Sequence, residues 1–82
     1  PFNPITNIRY DLPENSFVSL VIYDLRGGKV RTLINDQLQE AGYRNIVWNG
    51  RDQYGRPRPS GMYIYAMMAS DFTLTGKMIM LK

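Results

Sequence analysis

Hydrophobic and polar residues alternate with a period of two along most of this chain, which is the pattern of half-buried β-strands. The first alternating segment covers residues 8–12 and stops at Pro13, which has no N–H to donate to a β-ladder. The second segment covers residues 16–24, is the most hydrophobic, and is predicted to be a central strand. One of its faces carries three aliphatic core candidates: Val18, Leu20 and Ile22.

Four further alternating segments follow, at residues 29–34, 43–49, 62–70 and 72–81. The segment at 43–49 carries the only tryptophan, Trp48, which is predicted to pack in the core. Residues 35–42 are polar and are predicted to form a loop or a short helical turn. We expect Gly76 to interrupt the last strand, because glycine has no side chain to pack there.

Residues 62–70 differ from the other predicted strands because neither face is markedly polar. Tyr63, Tyr65 and Met67 alternate with Met62 and Ile64, so both faces are apolar or aromatic. We therefore expect this strand to be covered on both sides or to lie against a partner.

Turn-forming residues separate these segments. Gly27 and Gly28 are predicted to supply the positive φ angles of a tight hairpin turn. Residues 49–61 are dense in glycine, proline, asparagine and aspartate, which favours a loop. Six or seven short strands with regular turn signals and no helical period predict an all-β sandwich or small barrel.

Composition narrows the function classes. A chain of 82 residues has room for one thin core, and no segment approaches the roughly 20 apolar residues that span a bilayer. The chain has no cysteine and no histidine, so it lacks thiolate ligands, the usual general base near neutral pH and the commonest nitrogen ligand for transition metals. We therefore expect a non-enzymatic domain with no metal, no cofactor and no membrane insertion.

The distribution of charge allows two interpretations of the predicted loop at residues 49–61. The net charge is +3, and the only local concentration of basic residues is formed by Arg51, Arg56 and Arg58. A polyanion contact fits this cluster, but a solvated loop is the favoured interpretation, and we expect no nucleic-acid partner.

Three other groups of residues allow a chemical interpretation beside a structural one. The seven carboxylates can supply a glycosidase pair, although scattered solvent-facing acids are favoured. Asn49, Asp52 and Gln53 beside Gly55 offer oxygen ligands for calcium, but the spacing favours a turn in which aspartate caps its own backbone. The aromatic residues favour packing over a sugar-binding platform, Trp48 most clearly.

Several separated motifs occur in an order that resembles one known family. The first thirteen residues follow the pattern P-F-N-P-x-T-x-I-x-Y-x-L-P, and further matches lie at residues 18–27, 30–33, 41–43, 47–52, 60–65 and 77–82. This resembles the C-terminal modules related to the immunoglobulin-like domain of the flagellar hook-capping protein, which are grouped with type IX secretion sorting domains. Gly28 and Asn49 depart from the pattern, where Arg or Lys and Asp are usual.

The resemblance implies an immunoglobulin-like (fibronectin III-like) antiparallel β-sandwich of about seven strands. It further implies that residues 1–82 form a single, monomeric, non-catalytic domain at the C-terminus of a larger secreted bacterial protein. Such a domain sorts its parent through type IX secretion to the cell surface, so the expected partners are secretion machinery proteins and the parent's catalytic or adhesive domain. On this interpretation Gly61 and Tyr63 fix the penultimate strand, and Lys77 and Lys82 flank the recognised last strand.

Two alternatives remain open. The first is a structural scaffold or spacer domain like that of the hook-capping protein, without a transport role. The second is a carbohydrate-binding module that uses Tyr43, Tyr63 or Tyr65.

Overall fold

A computed structural model describes residues 5–70 and 72–81 of the chain. The described residues form six antiparallel β-strands: β1 (Thr6–Leu12), β2 (Ser16–Tyr23), β3 (Lys29–Gln39), β4 (Gly42–Trp48), β5 (Gly61–Ala69) and β6 (Phe72–Met80). The prediction of an all-β antiparallel fold is confirmed, with six strands in this part of the chain instead of about seven. Among these residues no helix is long and apolar enough to cross a membrane.

The strands form two sheets. β1 and β4 pair over their whole length, from Thr6 opposite Trp48 to Leu12 opposite Gly42. The other sheet has the order β3-β2-β5-β6, so β2 is central, as its hydrophobicity predicted. Consecutive strands β2 and β3, and β5 and β6, form hairpins within this sheet, whereas the chain changes sheets after β1, β3 and β4.

The core lies between the two sheets. Trp48, Leu20 and Ile22 are completely buried, together with Val18. The Trp48 ring meets the ring of Tyr63 edge to face, with centroids 4.9 Å apart and planes inclined at 71°. Edge-to-face pairs contribute about 0.5–1.5 kcal/mol beyond the area that they bury. This pair joins β4 of one sheet to β5 of the other.

The third strand is longer than the sequence pattern indicated. Residues 35–39 were predicted to lie in a loop or helical turn, and this prediction is wrong, because they continue β3, in which residues 37–39 pair with the first residues of β2. The pairing shifts register between Val18 and Leu20, and Asp36 in β3 has a φ of +47°. A bulge of this kind breaks the alternation of the strand, which is why a period-two pattern could not reveal it.

The hairpin between β2 and β3 depends on Asp24 as well as on its glycines. One Asp24 carboxylate oxygen accepts the backbone N–H groups of Arg26, at 3.0 Å, and Gly28, at 2.8 Å. Of the two glycines only Gly27 has a positive φ, +85°, whereas a Cβ at Gly28 would lie 3.0 Å from Asp24. Each glycine is therefore needed for a different reason.

The last strand is continuous. Gly76 was expected to interrupt it, but β6 pairs with β5 from Phe72 to Met80 without a break. β6 lies at the edge of its sheet, as does β3. The opening motif residues Pro1 to Pro4, together with Asp71 and Lys82, lie outside the described residues.

Candidate functional site

The loop that joins β4 to β5, residues 49–60, is fastened to the edge strand β3. The backbone N–H of Gln53 donates to the carbonyl of Val30 at 3.0 Å, and the Gln53 side-chain oxygen accepts the N–H of Thr32 at 2.9 Å. Within the loop, Arg51 and Pro57 form an isolated antiparallel bridge. The loop is therefore held in one shape and placed beside β3.

Asp52 organises the turn of this loop. One carboxylate oxygen accepts the backbone N–H groups of Tyr54, at 2.9 Å, and Arg56, at 3.0 Å, and the other accepts Nε of Arg56 at 3.0 Å. The hydrogen bond from the Arg56 backbone is the main cause that lowers the pKa of Asp52 below 3.8, although burial opposes it. Asp52 is thus an ionised structural anchor.

The candidate calcium ligands are used by the protein itself. Asp52 accepts the hydrogen bonds given above. The side-chain oxygen of Asn49 accepts N–H groups from Arg51 and Arg31, and the side-chain oxygen of Gln53 accepts the backbone N–H of Thr32. Residues 5–70 and 72–81 hold no cluster of three or more His, Cys, Asp or Glu side chains able to bind a metal. The interpretation of this segment as a turn capped by aspartate is confirmed.

A basic cleft lies between this loop and β3. Its volume is about 580 Å³, within the range of small-molecule sites. We call it the loop cleft, and its lining residues include four cations and one acid: Lys29, Arg31, Arg56, Arg58 and Asp52. Because these four cations outnumber the one acid, the cleft presents a positive surface.

Sequence reasoning found only part of this site. The loop arginines were recognised as a cluster, but Lys29 and Arg31 were seen only as residues of a strand. No local pattern places a β3 residue beside a loop that follows β4 in sequence, because the contact depends on the tertiary fold. Arg51, the third arginine of the predicted cluster, donates to the carbonyl of Gly55 at 2.8 Å and is not part of the cleft lining.

The described residues among those predicted for recognition, Gly61, Tyr63 and Lys77, lie toward the end of the β5–β6 hairpin that is away from its turn. Gly61 has a φ of +154°, which favours glycine, and Tyr63 is buried with its hydroxyl donating to the carbonyl of Pro59 at 2.6 Å. Lys77 is exposed on the edge strand β6, and Lys82 is outside the described residues. These positions give Tyr63 a packing role, and they leave a recognition role for the lysines as a prediction.

The predicted aromatic platform is divided between core and surface. Tyr63 is buried and Tyr65 is half-buried, so neither presents an open ring face of the kind that binds sugars. Tyr43 on β4 is 90% exposed. The three tyrosines of the carbohydrate hypothesis therefore do not form one surface.

The four-stranded sheet has an apolar face turned away from the core. Phe17 and Leu38 stand opposite each other on β2 and β3 and are 57% and 62% exposed. We call this the outer sheet face, and its exposed apolar members are Phe17, Leu38, Met62, Met68 and Ile79. Both faces of β5 are apolar because the strand contributes Met62 and Met68 to the outer sheet face and Tyr63 and Met67 to the core.

Comparison with known proteins gives two matches. The family model described as FlgD Ig-like domain matches residues 5–72. The crystal structure of FlgD from P. aeruginosa is similar to 93% of this chain, with 28% sequence identity and a TM-score of 0.72, and the chain spans 59% of that FlgD chain. A search of curated proteins found no match.

Proposed function

Because this chain belongs to the FlgD Ig-like domain family, we propose that it is a non-catalytic structural module that supports a neighbouring domain or an assembly. The family match over residues 5–72 is the observation that carries this proposal. We further propose that the module is part of a larger secreted or surface-located bacterial protein, and that the neighbouring domain of that protein is its partner.

The outer sheet face supports a contact of this kind. The largest apolar patches on soluble proteins are commonly interaction sites. Here apolar side chains from all four strands of the sheet are exposed, with the pair Phe17 and Leu38 at one end and Met62 beside Ile79 at the other. The similar FlgD chain continues beyond the matched region, so in that protein the module has further polypeptide beside it. We propose that the adjoining domain packs on the outer sheet face.

The experiment compares the full-length protein encoded by the same gene with a version that lacks residues 1–82. We expect the remaining part to unfold at a lower temperature, or to lose its assembly, when the module is deleted. The control restores the module as a separate chain, which tests whether a contact in trans is sufficient. Unchanged unfolding and assembly after deletion would show that the module is not a support.

A type IX sorting signal is the second candidate, and the position of β6 favours it. β6 is an edge strand, and an edge exposes backbone groups that a partner can extend by strand addition. A reporter fused to residues 1–82 behind an export signal, in a host with type IX secretion, tests this role. Sorting predicts a reporter at the cell surface, and replacing Lys77 by Glu should reduce it. A reporter that remains in the periplasm rejects the candidate.

A further inference from the structure

The proposed support function places the neighbouring domain on the outer sheet face and leaves the loop cleft without a role. We propose that it is a binding site for an acidic peptide segment, held through its carboxylates by Arg31 and Arg58. This inference goes beyond the support function, because that function needs the outer sheet face and not the cleft.

The positive charges of the cleft are only partly offset by carboxylates of the protein. Arg31 donates to the neutral amide oxygen of Asn49 at 3.0 Å and has no ion pair with a carboxylate of residues 5–70 or 72–81. Lys29 is exposed and has no ion pair with any residue of 5–70 or 72–81. Arg56 is paired with Asp52, but 71% of its side chain is exposed. The cleft therefore has more positive charge than its own acid can balance.

Arg58 is only weakly paired within the described residues. Its one ion pair with residues 5–70 and 72–81 is long, 3.6 Å from Nη2 to a carboxylate oxygen of Asp24. Its Nε is buried and, within the described part of the chain, donates to no acceptor. The guanidinium therefore has unused hydrogen-bonding capacity, and because 34% of the Arg58 side chain is exposed, a ligand oxygen can reach it. Arginine also matches the planar, two-oxygen shape of a carboxylate.

Peptide carboxylates fit the cleft better than an acidic sugar. Sugar rings are held largely by stacking on aromatic faces, whereas the lining contains one aromatic ring, that of Tyr54. The Arg56 guanidinium already lies over that ring, 5.1 Å from its centroid. Ionic pairing therefore outweighs stacking as the source of affinity. The fastened loop also keeps the cations in place before a ligand arrives, which reduces the entropy lost on binding.

The test measures binding of a fluorescent oligoglutamate peptide to the chain by anisotropy at low ionic strength. We expect Arg31→Gln and Arg58→Gln each to weaken binding about fivefold, and the double variant at least about tenfold. Arg9→Gln is the matched control, since Arg9 is an exposed arginine on β1 in the other sheet. It should change the affinity by less than about twofold, and thermal unfolding confirms that each variant is folded.

Three results would overturn the assignment. One is no binding by the folded wild-type chain, and another is an equal loss of affinity in Arg9→Gln, which indicates a general charge effect. The third is tighter, cleft-dependent binding of oligogalacturonate, which would assign the cleft to an acidic sugar. Phe17→Glu with Leu38→Lys, on the outer sheet face, should leave peptide binding intact. This separates a failure of the cleft from a failure of the support function.

Discussion

The ring of Tyr65 lies over the backbone of Gly76, its direct partner across the β5–β6 ladder. A Cβ at position 76 would overlap the outer atoms of that ring, and no other glycine for which a Cβ contact is given is so closely covered. An aromatic ring over a cross-strand glycine replaces the packing that the glycine lacks. Gly76 therefore makes room for Tyr65 instead of interrupting β6.

We expect Gly76→Ala to lower the free energy of unfolding by about 1–3 kcal/mol, because the methyl group displaces the Tyr65 ring. In a Tyr65→Ala background the same change should be neutral or stabilising by about 0.4–1 kcal/mol, since alanine restricts the unfolded chain. A double-mutant cycle measured by urea unfolding tests this coupling. If the free-energy changes of Gly76→Ala and Tyr65→Ala simply add, the packing of the Tyr65 ring does not depend on Gly76.

Tyr63→Phe tests the anchoring of the β4–β5 loop. The substitution removes the hydrogen bond from the Tyr63 hydroxyl to the carbonyl of Pro59, and we expect a loss of about 1 kcal/mol. For a domain of this size that corresponds to a fall in Tm of about 4–8 °C. Tyr54→Phe is the control, because Tyr54 is exposed and should leave Tm unchanged. Equal shifts in both variants would contradict the anchoring role.

The turn held by Asp52 makes stability depend on pH. Because the pKa of Asp52 is lower in the folded state than 3.8, the unfolded chain binds more protons between the two values. This contribution is present above pH 3.8 and is lost as the pH falls through the folded-state pKa. We expect Asp52→Asn to be less stable near neutral pH and to lose less stability on acidification.

Urea unfolding of wild type and Asp52→Asn over a range of acidic pH measures the difference directly. Asp11→Asn is a suitable control, because Asp11 is an exposed acid on β1. Parallel stability curves for wild type and Asp52→Asn would show that the carboxylate is not the linked group.

The outer sheet face should matter to the full-length protein and not to the isolated domain. Phe17→Glu with Leu38→Lys places opposite charges across the β2–β3 ladder, and the isolated chain should change in stability by less than about 1 kcal/mol. In the full-length protein the same pair should lower the unfolding temperature of the neighbouring domain. Tyr43→Lys is the matched control, because Tyr43 is an exposed residue of β4 in the other sheet, and it should have no such effect.

Much of the fold follows from local alternation. β1, β2, β4 and β5 lie within two residues of their predicted positions, because each has one face in the core and the other toward solvent or a neighbour. The second half of β3 was missed, since the bulge at Asp36 breaks the period and its residues are polar except for Leu38. The family motifs supported the same fold, whereas the sorting role that they also suggested remains a proposal.

By itself, the sequence determined which residues are apolar, where the chain turns and that no histidine or cysteine chemistry is present, because these properties depend on near neighbours in the chain. Only the tertiary structure decided the partners of those residues. It brought Arg31 of β3 and Arg58 of a later loop to the same cleft, and placed Tyr65 over Gly76. Such contacts depend on sheet order and register, which are set by the packing of the whole core and not by any single segment.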